Sequence, residues 1–156
     1  MSEMYADVDH YLRGFYVGDN YRSLTVRDEI KLNKASEIYW FMHTQTEAVV
    51  LDEKSVLLSQ RDKSVVLKFE TNAPEFSVRI MDAVPLESSP PGKGQNPNHG
   101  YRKVAIRLEG DGEINLTVRI AEFEGEVDTT PISQWIAPEK TVSTESGDYG
   151  FTMKII

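Results

Sequence analysis

The sequence predicts an all-β protein: an antiparallel β-sandwich of short strands with one long Pro/Gly/Asn-rich loop. Three observations carry this. Apolar and polar residues alternate with period 2 through several segments. β-Branched and aromatic residues are frequent in those segments. No segment of ten or more residues has the 3.6-residue spacing of an amphipathic helix. Short strands punctuated by turns, with no intervening helices, favour a sandwich over a parallel sheet.

The strands are read in order. Leu24, Val26, Ile30 and Leu32 alternate with polar residues and predict a half-buried strand. Three segments apolar on both faces predict central strands: Ile38-Tyr39-Trp40-Phe41-Met42, Val56-Leu57-Leu58 and Val65-Val66-Leu67-Lys68-Phe69. Period 2 returns at Phe76, Val78 and Ile80, at Val104, Ile106 and Leu108, and at Ile114, Leu116, Val118 and Ile120. Thr130-Pro131 predicts a single helical turn, because Pro at a first helical position gives up an N–H that has no partner there. Residues 150–156 predict a final edge strand.

Turn residues set the connections. Residues 59–64 predict a hairpin between the second and third apolar segments. Glu109-Gly110-Asp111-Gly112-Glu113 predicts another. In that second hairpin Leu108 pairs with Ile114 and Val104 with Val118, since a one-residue slip would set Leu108 against Asn115. The same register places Lys103 opposite Arg119, and with Arg107 and Arg79 it predicts a basic strip. Facing cations repel, so either the acidic residues Glu122, Glu124 and Glu126 or a bound anionic glycan is expected to neutralise them. Residues 86–100 form a connection too long to be idle.

Composition narrows the function. Seventeen Lys and Arg against 25 Asp and Glu leave a net charge of −8, which disfavours nucleic acid and anionic membranes. The absence of cysteine excludes a disulfide framework, a thiol nucleophile and Cys-ligated metal. No apolar run reaches the roughly 18 residues of a membrane span. The acidic start is not a signal peptide, which leaves the compartment open between the cytoplasm and, as part of a longer protein, the periplasm or the outside of the cell. One domain covers residues 1–156, with 1–9 a lead-in and 140–149 a polar, mobile stretch. No cofactor is expected. The three histidines, His10, His43 and His99, share no metal-ligand spacing, so no metal is expected either.

Few residues carry chemistry. Asp28 interrupts the apolar face of its strand and must find a partner inside the protein. His43 follows Trp40-Phe41-Met42 and is read as a satisfied core residue. Neither is assigned catalysis, and no catalytic residue is assigned at all. His99 and Tyr101, beside Arg102, are the only candidates for moving a proton next to a sugar carboxylate. Lys103, Arg107, Arg119 and Trp135 are the candidate ligand-binding residues. Trp135 is the better exposed aromatic, whereas Trp40 belongs to the core and Tyr39 is a platform only in principle. The sequon Asn115-Leu116-Thr117 falls inside a predicted strand and is discounted as a glycosylation site.

Val26-Arg27-Asp28-Glu29-Ile30 and Trp40-Phe41-Met42-His43-Thr44, with Leu12-Arg13-Gly14-Phe15 before them and the Pro/Gly/Gln/Asn loop after, resemble a known pattern. It is that of the distal, C-terminal β-sandwich of the heparinase II/III-like polysaccharide lyases, over roughly residues 10–120. The resemblance implies a module packed against a helical toroid, with an acidic polysaccharide lying in the groove between them. It also implies that the catalytic and metal-associated residues lie in the toroid and the early sandwich, so none transfers to this chain. At 156 residues the chain has no room for a toroid. The expectation is therefore a non-catalytic module that supports or extends a glycan groove, either a piece of a longer lyase or free-standing. The alternatives are a free-standing carbohydrate-binding or interaction module, and a small uronate-directed lyase using His99 and Tyr101.

Overall fold

The computed structural model describes residues 7–87 and 98–135 and the backbone of 149–153. Among these, ten strands form two antiparallel sheets packed face to face. They are β1 (Val8–Gly18), β2 (Ser23–Leu32), β3 (Ser36–Thr44), β4 (Glu47–Asp52), β5 (Ser55–Gln60), β6 (Lys63–Thr71), β7 (Glu75–Asp82), β8 (Arg102–Gly110), β9 (Glu113–Ala121) and β10 (Tyr149–Met153). The larger sheet runs β10-β1-β2-β9-β6-β5-β4, and the smaller runs β3-β8-β7. The expected sandwich is what forms.

Period 2 decides the core. On β2, Ile30 and Leu32 face inward, with Ile114, Leu116 and Val118 from β9 and Leu67 and Phe69 from β6. Trp40, Val104, Ile106 and Leu108 meet them from the smaller sheet. Phe69, Leu67, Ile106 and Val118 have no exposed surface. Each such side chain is worth about 1.5–3 kcal/mol of burial.

The hairpin at residues 59–64 forms as expected, with Ser59 opposite Ser64 and Arg61 at φ 56° in the two-residue turn. The hairpin at 109–113 does not. β8 pairs with β3 and β7, while β9 pairs with β2 and β6. The chain turns a corner between sheets instead. Gly112 has φ 62°, and a Cβ on Gly110 would lie 2.7 Å from Ile114 Cδ1 and 3.0 Å from Pro74 Cδ. Leu108 and Ile114 thus share the core from opposite layers rather than standing side by side. Alternation marks which residues are buried, and both arrangements bury the same ones.

Two strands go beyond the sequence expectation: β1, which starts inside the expected lead-in, and β4. The segment apolar on both faces at 38–42 is an edge strand, not a central one, because among the described residues β3 has only β8 beside it. Its outward aromatics, Tyr39 and Phe41, stack on each other with centroids 5.5 Å apart instead of entering a core. β10 pairs with β1 as the expected edge strand. The predicted helical turn forms at Ile132–Gln134, directly after Pro131. The expectation for residues 140–149 lies largely outside the described residues, as does most of the 86–100 loop.

Candidate functional site

The site grows from the polar side of β2. Because Val26, Asp28 and Ile30 point inward, Arg27, Glu29 and Lys31 point outward, beside Glu113, Asn115 and Thr117 of β9. Arg27 is only 5% exposed. Its Nε donates to Glu29 Oε1 at 2.9 Å and its Nη1 to Thr117 Oγ1 at 2.7 Å. A fixed guanidinium therefore forms the floor of the outer face.

Residues 122–135 pass over this floor as a strap. The Ile132 backbone N–H donates to the same Glu29 Oε1 at 2.9 Å, and the Ile132 side chain is buried. Trp135 lies edge-on to Tyr16, with centroids 6.3 Å apart. Its ring comes so close to Gly14 that a Cβ there would sit 2.6 Å from Cζ3. Its Nε1–H donates to the Thr130 carbonyl at 3.1 Å.

The strap leaves two hollows that share Arg27 and Asn115. One, of about 600 Å³, adds His10, Glu29, Lys31 and Glu113. The other, of about 300 Å³, adds Glu70, Asn72 and Thr129. Together they make a trough of carboxylate, amide, hydroxyl and cationic groups, a surface suited to hydrogen-bonding a polyhydroxylated chain. Among the described residues no group of His, Asp and Glu is arranged to hold a metal.

Asp128 shapes a turn within the strap, accepting from the Thr130 hydroxyl at 2.6 Å and from the Thr130 backbone N–H at 2.9 Å. Its carboxyl is held below the usual value of 3.8 by the Thr130 hydroxyl, then by the Thr130 backbone N–H and the charge of Arg27, with burial opposing. A carboxyl lowered by folding adds stability above its unfolded value and loses it as pH falls through the folded one. The expected result is that the Trp135 indole N–H resonance stays constant above about pH 5 and shifts as acid takes the pH below 3.8 and loosens the turn that presents its acceptor, the Thr130 carbonyl. Asp128→Asn should remove that acid-linked change. A shift of equal size in the variant would place the titration elsewhere.

Most of the residues singled out by the sequence lie away from the trough. Trp135 is half-buried against Gly14 and Tyr16, so the expectation of an open platform is corrected: the strap uses the ring as its anchor. Lys103 and Arg119 are not opposed. Lys103 faces His43 and Met81 in the smaller sheet, and Arg119 faces Thr25 and Lys68 in the larger. Lys103, Arg107 and Arg79 do share the outer face of the smaller sheet, on adjacent strands. Their neutralisation is not by Glu122, Glu124 or Glu126. Arg107 is held by Glu37 at 2.5 Å and by Glu109, which raise its pKa. Lys103, 3% exposed, donates to the Val84 carbonyl at 2.6 Å and sits 4.4 Å from the Phe41 ring centre. Arg119 reaches Asp19 at 3.4 Å and the Phe123 carbonyl at 3.2 Å. Glu122 instead meets Arg22.

Asp28 has the internal partner that its place in the strand demands, Arg13 of β1. His43 is exposed on the outer face of the smaller sheet, which corrects its reading as a core residue. It follows Trp40 by an odd number of residues, so it points the other way. His99 and Tyr101 lie on an exposed turn closed by the Tyr101 N–H to the Asn98 carbonyl at 3.0 Å. Asn96 and Pro97 are outside the described residues. Thr117 of the sequon is fully buried. No protein-family model and no curated protein matches the chain.

Proposed function

We propose that this chain is a non-catalytic β-sandwich module of the kind that ends heparinase II/III-like polysaccharide lyases, where it supports or extends a glycan-binding groove. The observation that carries the reading is the trough. Its polar groups lie on a sheet face, and its floor is fixed by the Arg27–Glu29–Thr117 bonds. Such a surface offers hydroxyl-bearing chains both donors and acceptors without rearrangement. The two segments that carry the resemblance supply β2, which holds the floor, and β3, which roofs the core. The acidic sugar expected from the family would use His10, Arg27 and Lys31, while Asn115 and the carboxylates take neutral hydroxyls.

The test is a glycan array followed by calorimetry with uronate-containing oligosaccharides. The expected result is weak binding that His10→Ala combined with Lys31→Ala reduces about tenfold, as losing one charge-assisted hydrogen bond would. Both side chains are on the surface, so the fold should survive. No hit on the array, or affinity unchanged in the double variant, would sink the trough reading. Release of unsaturated uronate ends by the isolated chain would instead favour the lyase that uses His99 and Tyr101.

A further inference from the structure

A second opening lies on the other side of the large sheet and has no part in the trough. The two sheets are unequal, seven strands against three, and β3 is the edge of the smaller one. That edge lies over the inward side of β1 and β2. A slot of about 290 Å³ opens there, between Tyr11, Arg13, Asp28 and the β3 residues Ile38, Tyr39 and Trp40. It reaches down to Leu108 and Leu116, each 1% exposed. This is the small end of the size range of ligand pockets, and a mainly apolar lining with a few convergent polar groups is their usual make-up.

The polar end decides what fits. Both Asp28 oxygens are occupied: Arg13 Nε donates to one at 2.6 Å and Nη2 to the other at 2.7 Å. Tyr11 adds a third bond at 3.2 Å. An incoming cation would be repelled by the guanidinium that already neutralises Asp28. An incoming carboxylate would sit a guanidinium's width from Asp28 and be repelled in a dry site. Arg13 Nη1 remains, with no hydrogen bond among the described residues, and it wants an uncharged acceptor. Tyr11 and Trp40 supply flat aromatic surface around it.

We infer that this slot binds a compact, uncharged, largely apolar molecule, a ring bearing one acceptor oxygen, with the ring between the β3 edge and β1 and the oxygen on Arg13 Nη1. The slot and the trough open on opposite sides of the large sheet and have no polar group in common, so either can bind without the other.

The test is titration of the isotope-labelled full chain with benzyl alcohol, toluene and benzoate, read by NMR. Benzyl alcohol is expected to shift the Trp40 indole N–H and the Arg13 Nε–H saturably and leave the Trp135 indole in place. Toluene, lacking the oxygen, and benzoate, carrying a charge, should each bind at least several-fold more weakly. Val8→Phe and Ile38→Phe, both at the slot, should each abolish the shifts while the melting temperature holds. If one of them fails to fold, the other decides. No saturable shift at Trp40, shifts that persist in a folded filled variant, or benzoate binding tighter than the alcohol would overturn the inference.

Discussion

Arg13→Met is expected to lower stability by about 3–5 kcal/mol, read as a fall in the urea midpoint at unchanged m. The reason is what the substitution leaves behind. Asp28 stands on the inward face of β2, between Arg13 of β1 and Leu116 of β9, with 4% of its side chain exposed. Without the guanidinium it keeps, among the described residues, only the Tyr11 hydroxyl. An unpaired buried charge is the expensive outcome, while Met retains most of the apolar stem of Arg and so adds little packing loss. Asp28→Leu in the same chain should recover much of the loss, because a matched apolar pair replaces a buried ion pair at little cost. Asp28→Ala alone should cost less than Arg13→Met, since the stranded Arg13 is 30% exposed and can turn to water. A loss under about 1 kcal/mol for Arg13→Met would mean the pair behaves like an exposed one.

Asp28 also shows what is legible in the sequence. A single carboxylate in the row Leu24, Val26, Ile30, Leu32 breaks a period-2 pattern, and that break is visible without coordinates. Its partner is not. Arg13 lies on a strand whose pattern is blurred, since β1 has half-buried residues on both faces: Leu12 and Tyr16 on the strap side, Tyr11 and Phe15 on the slot side. β4 escapes the pattern for a related reason. As the edge of the large sheet it leaves Val49, Val50 and Leu51 exposed, so its apolar run signals no buried face.

The neighbours of a strand are the least legible feature. Alternation puts Lys103, Val104 and Ile106 on the correct faces yet gives them the wrong partner, because Gly110 and Gly112 serve a corner between sheets as well as they serve a hairpin. Once β8 and β9 are placed in separate layers, the basic strip divides. Arg79 remains beside Lys103 and Arg107, and Arg119 departs to the opposite side of the protein. The trough is hidden for the same reason. Arg27 and Asn115 are far apart in the chain and meet only through the β2–β9 register, which sequence spacing does not encode. The signal present in the sequence is the polar half of the β2 pattern: Arg27, Glu29 and Lys31 alternate in charge on the face opposite Asp28.

Phe69→Ala is expected to cost about 3–5 kcal/mol, the range for emptying an aromatic site in a packed core. Phe69 has no exposed surface and sits on the inward face of β6. It reaches across to Phe76 of β7, in the other sheet, with ring centres 5.9 Å apart and planes at 88°. That edge-to-face contact ties together two layers that share no backbone hydrogen-bond ladder. Removing the ring leaves a void lined by both sheets, and neither can collapse into it without moving a paired strand. A double-mutant cycle with Phe76→Ala should return a coupling of about 0.5–1.5 kcal/mol, the part that belongs to the aromatic pair. The remainder is burial and cavity. A domain of this kind holds only about 5–15 kcal/mol in all, so the variant should remain folded in water yet melt at markedly lower temperature. The outer trough gives a control: Glu70, the next residue, points the opposite way into it. If Phe69→Ala lost under about 1 kcal/mol, or showed no coupling to Phe76, the two sheets would not be held together through this pair.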